Sequence, residues 1–516
     1  MFTVVFMPDW KKHFKNKPYI AVWAFFIALL IIGLAIFKDY GVHADEYNNQ
    51  KFGRRWTDYV SMVVKARSLS VPLCKFPAGH DLIHGPAFEI FLTSLTDAFL
   101  LKDTRKILFI RHLAVFLLFY IGVVFFYFLC LKHFQSWQLA LLGCVFLVLS
   151  PRIFADAFYN SVDIPLLAFF IIATFTMLQM LEEKTALSTA LHALTCSILV
   201  NIRLIGFLLP VLTVIFIRLQ IKHTLDTRHK MAILKTLIGW AVLFGGLTFL
   251  FNPLLWSDPL LNFFNLIENT ANFNKPDSFA NWAYAPVWIT VSTPLLYSAF
   301  FLYGLVVVTK SFAQRTVLSF SAKQNSILFL ICFSLPLIIS TGRIYNGWRH
   351  IYFIYPFFII LAIMGLQDAW QNSSRTLRMV IVAALSLSLG CTALFMVKNH
   401  PYQNLYFNRL AGTNASQITQ RFALDYWGLS FRKGLEYILK TDKSPIIPVS
   451  FGLNVFGINN IAILPPEDKK RLVLTDKGQA TYFLTNNEEK ETFYCAGHEY
   501  YSIRLDGMKV LTICKK

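Results

Sequence analysis

Long apolar runs alternate with polar stretches along most of this chain. The first run covers about residues 19–37. Others fall near 107–131, 136–150, 164–181, 185–200, 203–218, 233–251, 287–309, 325–341, 350–366 and 377–397. At 1.5 Å per residue, about 20 apolar residues cross the hydrocarbon core of a bilayer. The pattern predicts an all-α polytopic membrane protein of about eleven spanning helices, with the shorter runs tilted or re-entrant. No small-residue cleavage site follows the first run, so it is expected to be a retained helix and not a signal peptide.

Two polar segments interrupt the series. Between the first and second runs lies 38–106, where Trp56, Tyr59, Val60, Val63 and Val64 follow helical spacing. Phe88, Phe91, Leu92, Leu95 and Phe99 do the same, which predicts two amphipathic helices lying at the interface. From about residue 400 the chain turns polar again. PIIPVSFGLNVF, ATYFLTN and YYSIRLDGMKVLTIC read as short strands, with Asp506-Gly507 as a hairpin turn. A helix is expected near 426–439. Residues 401–516 are thus expected to form a small α/β domain beside a transmembrane domain of residues 1–400.

Composition supports a membrane protein. Of 516 residues, 56% are hydrophobic and only 15% charged, against about 25% charged in soluble chains. Fifty Phe and 11 Trp suit lipid-facing helices and their interfacial ends. The formal charge of +19 raises nucleic acid as a partner. The cations lie between apolar runs and form no single stripe, so no nucleic acid is expected and membrane orientation explains them better.

Lys11, Lys12, Lys15 and Lys17 precede the first run, and basic loops recur at 218–235, at 310–323 and around Arg375. The short loops between carry few cations, chiefly Arg152, Arg203, Lys275, Arg343 and Arg349. The positive-inside bias then puts the N-terminus inside and, with an odd number of spans, residues 401–516 outside. Cys495 and Cys514 share that outer segment. A disulfide in an oxidising compartment and two unpaired strand cysteines are both open. No metal-type Cys/His spacing and no Gly-rich phosphate loop occurs, so no nucleotide cofactor is expected.

Candidate chemistry gathers in the outer loops. GVHADEYNNQKFGRRW follows the first run and places Asp45 and Glu46 near the membrane surface. Adjacent carboxylates repel, which raises a pKa and can prepare a general base for a hydroxyl acceptor. A solvated acid pair is the competing reading. In HGPAFE, His84 and Glu89 begin the second amphipathic helix and are candidates for a substrate groove. In SPRIFADAFYNSVDIP, Asp163 is either the N-cap of the next helix, with Pro165 in the first turn, or a second acid facing the first loop. Asp156 is a weaker candidate. NIRLIG and GRIYNGWRHIYFIYP supply Arg203, Arg343, Arg349 and His350, either as snorkelling anchors or as a phosphate clamp. Trp348 and Tyr352 would stack on a sugar or line the groove.

On these motifs the chain resembles the membrane glycosyltransferases of the C fold class (GT-C). These include protein O-mannosyltransferases and the transferases that place aminoarabinose on lipid A. HADE matches the acidic pair after helix one. SPRIFADAFYNSVDIP, YNGWRHIYFIYP, APVWITVSTP, HPYQNLYFNRLAG and LDYWGLSFRKGLEYI are similar to stretches of uncharacterised bacterial members, over most of the chain to about residue 440. One departure is the EKP-like motif of the aminoarabinose-type enzymes, whose nearest match here is IHGP (83–86). This leaves a divalent metal and the donor's identity open.

The resemblance implies a GT-C-like bundle in a bacterial inner membrane with its active site facing the periplasm. It implies inverting transfer of a sugar from a polyprenyl-phosphate donor to a hydroxyl of a glycan, lipid or protein acceptor. Asp45 would be the base, and Glu46 would be able to exchange roles with it. Asp163 would orient the acceptor or the cations. Arg203, Arg343, Arg349 and His350 would hold the leaving phosphate. The competing class is a transporter or flippase of lipid-linked sugars, which would want charges deep within spans and internal repeats.

Overall fold

The computed structural model describes residues 19–69, 84–273, 282–313, 320–339, 344, 347–486 and 498–516. A first helix, α1 (Tyr19–Ile36), leads into two loop helices, α2 (Glu46–Ala66) and α3 (Ala87–Ala98). The bundle continues through α4 (Thr104–Phe134), α5 (Trp137–Val148), the short α6 (Pro151–Asp156), α7 (Asp163–Glu183), α8 (Ala186–Val200), α9 (Leu208–His223) and α10 (Thr227–Phe251). Then come α11 (Pro259–Phe273), α12 (Tyr284–Ser292), α13 (Leu295–Ala313), α14 (Phe320–Ile339), α15 (Tyr355–Gln371) and α16 (Arg375–Lys398).

Among the described residues, seven helices are long and apolar enough to cross a membrane: α1, α4, α7, α9, α10, α15 and α16, with α9 and α15 each extended by a preceding 3-10 turn. The protein is a multi-pass integral membrane protein. The expectation of about eleven spans also counted the runs of α5, α8, α13 and α14, which are apolar but shorter.

Helix α7 is apolar all round and sits at the centre, packed between α4 and α8, while α13 packs on α15. By contrast α10 and α16 leave Val242, Leu243, Leu387, Leu394 and Val397 exposed, as lipid-facing helices do. The run expected as one span at 287–309 is two helices, because Pro294 lacks the N–H to continue α12 and forces Thr293 into an extended conformation. The carbonyls freed at that break accept from Asn408, whose Nδ2 lies 2.6 Å from the Thr290 oxygen and 2.7 Å from that of Thr293.

The C-terminal part contains α17 (Ala415–Arg421), α18 (Phe431–Thr441), α19 (Asn454–Ala462), α20 (Pro466–Lys469) and a sheet of β1 (Ile447–Phe451), β2 (Leu472–Leu474), β3 (Tyr482–Thr485), β4 (Glu499–Leu505) and β5 (Met508–Lys515). Strand order is β2-β1-β3-β5-β4, with β1 parallel to β2 and β3, and β5 antiparallel to β3 and β4. The β4–β5 hairpin turns at Asp506 and Gly507, both at positive φ (44° and 85°), as its Asp-Gly pair predicts. Phe431, Leu435 and Ile438 of α18 cover the sheet face formed by Val449, Leu484, Leu511 and Ile513. Cys514 is disulfide-bonded; Cys495 lies outside the described residues.

This part is tied to the first loop by side-chain amides. Asn460, fully buried, makes four hydrogen bonds: its Oδ1 accepts from the Val42 N–H, and its Nδ2 donates to the carbonyls of Val42, Gly428 and Phe456. Asn459 donates to the carbonyls of His43 and Ala44. Buried backbone groups of an irregular loop need such partners. Here they fix the backbone just ahead of Asp45.

Candidate active site

Loop 43–45 sits between the bundle and the C-terminal part. The Ala44 N–H donates to the Trp427 carbonyl at 3.2 Å, and the Asp45 N–H donates to His43 Nδ1 at 3.1 Å. Helix α2 begins at Glu46, so the two neighbouring carboxylates diverge. The Asp45 side chain is 51% exposed and lines a cavity of about 340 Å³. Glu46 turns inward, 1% exposed, and meets His112 Nε2 at 3.2 Å. Burial alone would raise the Glu46 carboxyl. The charge and hydrogen bond of His112, helped by His43 and Arg111, hold it below its usual value. This reverses the mutual upward shift that adjacency suggests, because the partners of Glu46 come from α4 and not from its neighbour. Glu46 is not among the residues lining the cavity.

Glu89 lines the cavity and is buried, not exposed as a loop acid commonly is. It bonds Arg111 at 2.7 Å and accepts from Ser161 Oγ at 2.5 Å. Arg111 and His112 thus compensate two buried acids from the first turns of α4, as buried charges require. His84 also lines the cavity.

Asp163 opens α7, and the N-cap expectation for it is corrected. Asn160 does the capping: its Oδ1 accepts from the N–H of Val162 at 3.2 Å and of Asp163 at 2.8 Å. The Asp163 carboxylate, 1% exposed, instead holds Arg203 at 2.9 Å and Arg349 at 3.6 Å, and accepts from Asn160 Nδ2 at 2.9 Å. Two guanidiniums therefore share one buried carboxylate, and both line the cavity. Arg349 reaches from Asp163 toward Asp45, with Nη2 3.9 Å from the carboxylate. Its guanidinium lies 4.6 Å from the Trp427 ring, a cation–π distance, and Trp427 also stacks on His43 at 4.7 Å.

Trp348, His350 and Tyr352 are not among the residues lining the cavity. Trp348 is buried and donates through Nε1 to Ser292 Oγ at 2.8 Å, with Tyr352 edge-on against it at 4.6 Å. A buried indole N–H needs a partner, and this one finds it in the core, with neither ring on the cavity wall. His350 stands behind Arg203 at 3.3 Å. Arg343 lies outside the described residues. Asp156 is buried and accepts from the Tyr159 hydroxyl at 2.6 Å; burial pushes its carboxyl up to about 6, against the Tyr159 hydrogen bond.

Sequence reasoning missed His43, Arg111, His112, Asn160 and Trp427. Two adjacent cations near the start of an apolar run were a usable signal for Arg111 and His112. Nothing local marked Trp427. Among the described residues, no group of three or more His, Cys, Asp or Glu side chains is placed to hold a metal ion. The arrangement has an accessible carboxylate beside guanidiniums that are fixed from behind. It suits proton abstraction next to a bound anion.

The fold is that of the C-class membrane glycosyltransferases. The chain is similar to the crystal structure of ArnT from Cupriavidus metallidurans bound to undecaprenyl phosphate, with a TM-score of 0.51 at 13% identity over 96% of this chain and 98% of that one. The apo structure of the same protein gives a TM-score of 0.50 at 13% identity with the same coverage. By sequence, no family model and no curated protein matches the chain.

Proposed function

We propose that this protein is an integral-membrane glycosyltransferase that moves a sugar from a polyprenyl-phosphate donor to an acceptor hydroxyl, with inversion. The carrying observation is the Asp45–Arg349–Asp163 line: a half-exposed carboxylate, a guanidinium 3.9 Å from it, and a buried carboxylate 3.6 Å beyond that fixes the guanidinium. Asp45 takes the proton of the acceptor hydroxyl. The acceptor oxygen then bonds to the anomeric carbon, the bond from that carbon to the phosphate oxygen breaks, and polyprenyl phosphate leaves with the electron pair. Arg349 and Arg203 stabilise the charge that develops on the phosphate. Asp163 holds both cations, and His350 supports Arg203. Arg343 is assigned to the same phosphate on its sequence position alone. Glu46 is the structural partner of His112.

The fold shared with a protein crystallised with undecaprenyl phosphate supports the donor class. The Cys514 disulfide supports an oxidising compartment for the C-terminal part. A bacterial inner membrane with the cavity facing the periplasm fits both. The test is sugar transfer in proteoliposomes from a panel of radiolabelled polyprenyl-phosphate sugars to glycan, lipid and peptide acceptors. Transfer from one donor establishes the activity. Silence across the panel, with translocation of a lipid-linked sugar in the same vesicles, replaces it with the flippase reading.

A further inference from the structure

A second cavity, of about 350 Å³, lies between the start of α4 and the C-terminal part, and it shares no lining residue with the cavity of Asp45. Three cations line it: Arg105 from the first turn of α4, and Arg432 and Lys440 from α18. Its two acids, Glu436 and Asp468, each have a partner cation outside the lining. Glu436 bonds Lys433 at 3.0 Å as well as Arg432 Nε at 2.9 Å, and Asp468 lies 4.0 Å from Arg471. Leu439, Ile463 and Pro465 supply the apolar part of the wall.

Both guanidiniums have donors to spare. Arg432, 8% exposed, donates through Nε to Glu436 and through Nη1 to the carbonyls of Lys38 and Tyr40, where the chain leaves α1. These bonds fix the group, and its Nη2, which is not enclosed, makes no hydrogen bond among the described residues. Arg105 makes no side-chain hydrogen bond or ion pair among the described residues. Its Nε is enclosed, while its two Nη atoms remain accessible. Lys440 is exposed and likewise has no ion pair among the described residues. Planar forks held beside a point charge suit phosphate oxygens.

The place of the cavity selects the kind of phosphate. Arg105 begins the apolar span of α4, and the Lys38 carbonyl held by Arg432 lies just past the apolar span of α1. The cavity is therefore level with the point where two spanning helices meet the membrane surface. On the orientation expected from the loop charges this is the outer surface, where the positive-inside bias puts no cations. Basic pockets beside spanning helices hold lipid headgroups, and apolar wall next to the cations suits a phosphate whose acyl chains stay in the leaflet.

We propose that this cavity binds the phosphate of an anionic phospholipid through Arg105, Arg432 and Lys440, so that the lipid bridges α4 and the C-terminal part. The site is separate from the cavity of Asp45, and its test does not depend on sugar transfer.

The full chain in neutral detergent is titrated with phosphatidylglycerol, with zwitterionic phosphatidylcholine and with inorganic phosphate, and binding is read by native mass spectrometry. Wild type is expected to bind phosphatidylglycerol about tenfold more tightly than phosphatidylcholine. Arg105→Gln combined with Lys440→Gln should weaken phosphatidylglycerol binding about thirtyfold, at roughly fivefold per cation. Lys222→Gln combined with Lys235→Gln removes the same charge from the 218–235 segment and should leave the affinity unchanged. If the cavity variant does not fold, the exposed Lys440→Glu is measured in its place and should weaken binding about tenfold. Equal affinity of wild type for the two lipids, wild-type affinity in a folded cavity variant, or an equal loss in the Lys222 and Lys235 control each overturns the proposal. Inorganic phosphate bound as tightly as phosphatidylglycerol assigns the site to a free anion and overturns the lipid as its ligand.

Discussion

Asp45 and Glu46 are consecutive residues in opposite environments. One carboxylate is 51% exposed and faces the cavity, while the other is 2% exposed and bound to His112 at 3.2 Å. The divergence comes from the start of α2, which turns each successive side chain by about 100°. It leaves Asp45 on the cavity wall and ties Glu46 to His112 of α4.

Asp45→Asn is expected to lower kcat for sugar transfer about 10²–10⁴-fold, the usual contribution of a general base. The melting temperature should stay within a few degrees, because the lost contact is a half-exposed pair at 3.9 Å. Parallel transfer assays and thermal unfolding check this. Transfer at the wild-type rate would remove Asp45 as the base.

Glu46→Ala should act on stability first. Removing one partner of a buried pair costs about 3–5 kcal/mol, so the variant should melt earlier and lose activity in proportion to its folded fraction. The folded pKa of Glu46 lies below its ordinary 4.5. Its stabilising contribution is therefore present above that pH and is lost as pH falls through the folded value. An acid-unfolding series should show a steeper acid limb in wild type than in Glu46→Ala. Equal limbs would mean the pair is not formed.

Arg349→Ala should weaken donor binding about tenfold to a hundredfold, since it removes a charged hydrogen-bond donor from a mostly buried site. Arg349→Lys should recover only part of this, because a single ammonium cannot reach Asp163 and the ligand as a planar fork does. Isothermal titration with the polyprenyl-phosphate ligand decides it. Unchanged affinity in the Ala variant would return Arg349 to an anchoring role.

Asp156→Asn is expected to stabilise the protein more at pH 8 than at pH 4. The carboxyl sits at about 6 when folded against an ordinary 3.8. Its contribution is favourable below about 3.8 and is lost as pH rises through 6, so wild type at pH 8 carries a buried carboxylate at a cost on the order of 3 kcal/mol. Asn keeps an oxygen for the Tyr159 hydroxyl. A stability gain of equal size at both pH values would show that the effect is not the titration of Asp156.

Much of the fold was legible because hydropathy is local. Runs such as 107–131 and 164–181 could be placed from composition alone, since about 20 apolar residues in a row have one low-energy environment. The Asp506-Gly507 turn was equally local, because its backbone conformation depends on two residues. The positions of Asp45, Asp163, Arg203 and Arg349 at or beside the ends of apolar runs followed from the same pattern. So did their proximity to a common end of the bundle.

What the pattern left open depended on pairs distant in sequence. Whether Asp45 or Glu46 would be exposed turned on His112, 66 residues away. The role of Asp163 turned on Asn160 taking the cap and on Arg349 arriving from another helix. Trp427 reaches Arg349 and His43 only because Asn459 and Asn460 bind the first loop from more than 400 residues downstream. The break at Pro294 had a local cause, but a hydropathy window averages over a single missing N–H. Burial and ion pairing are properties of three-dimensional neighbourhoods, so only the packed structure could choose which of the candidate acids and cations face the cavity.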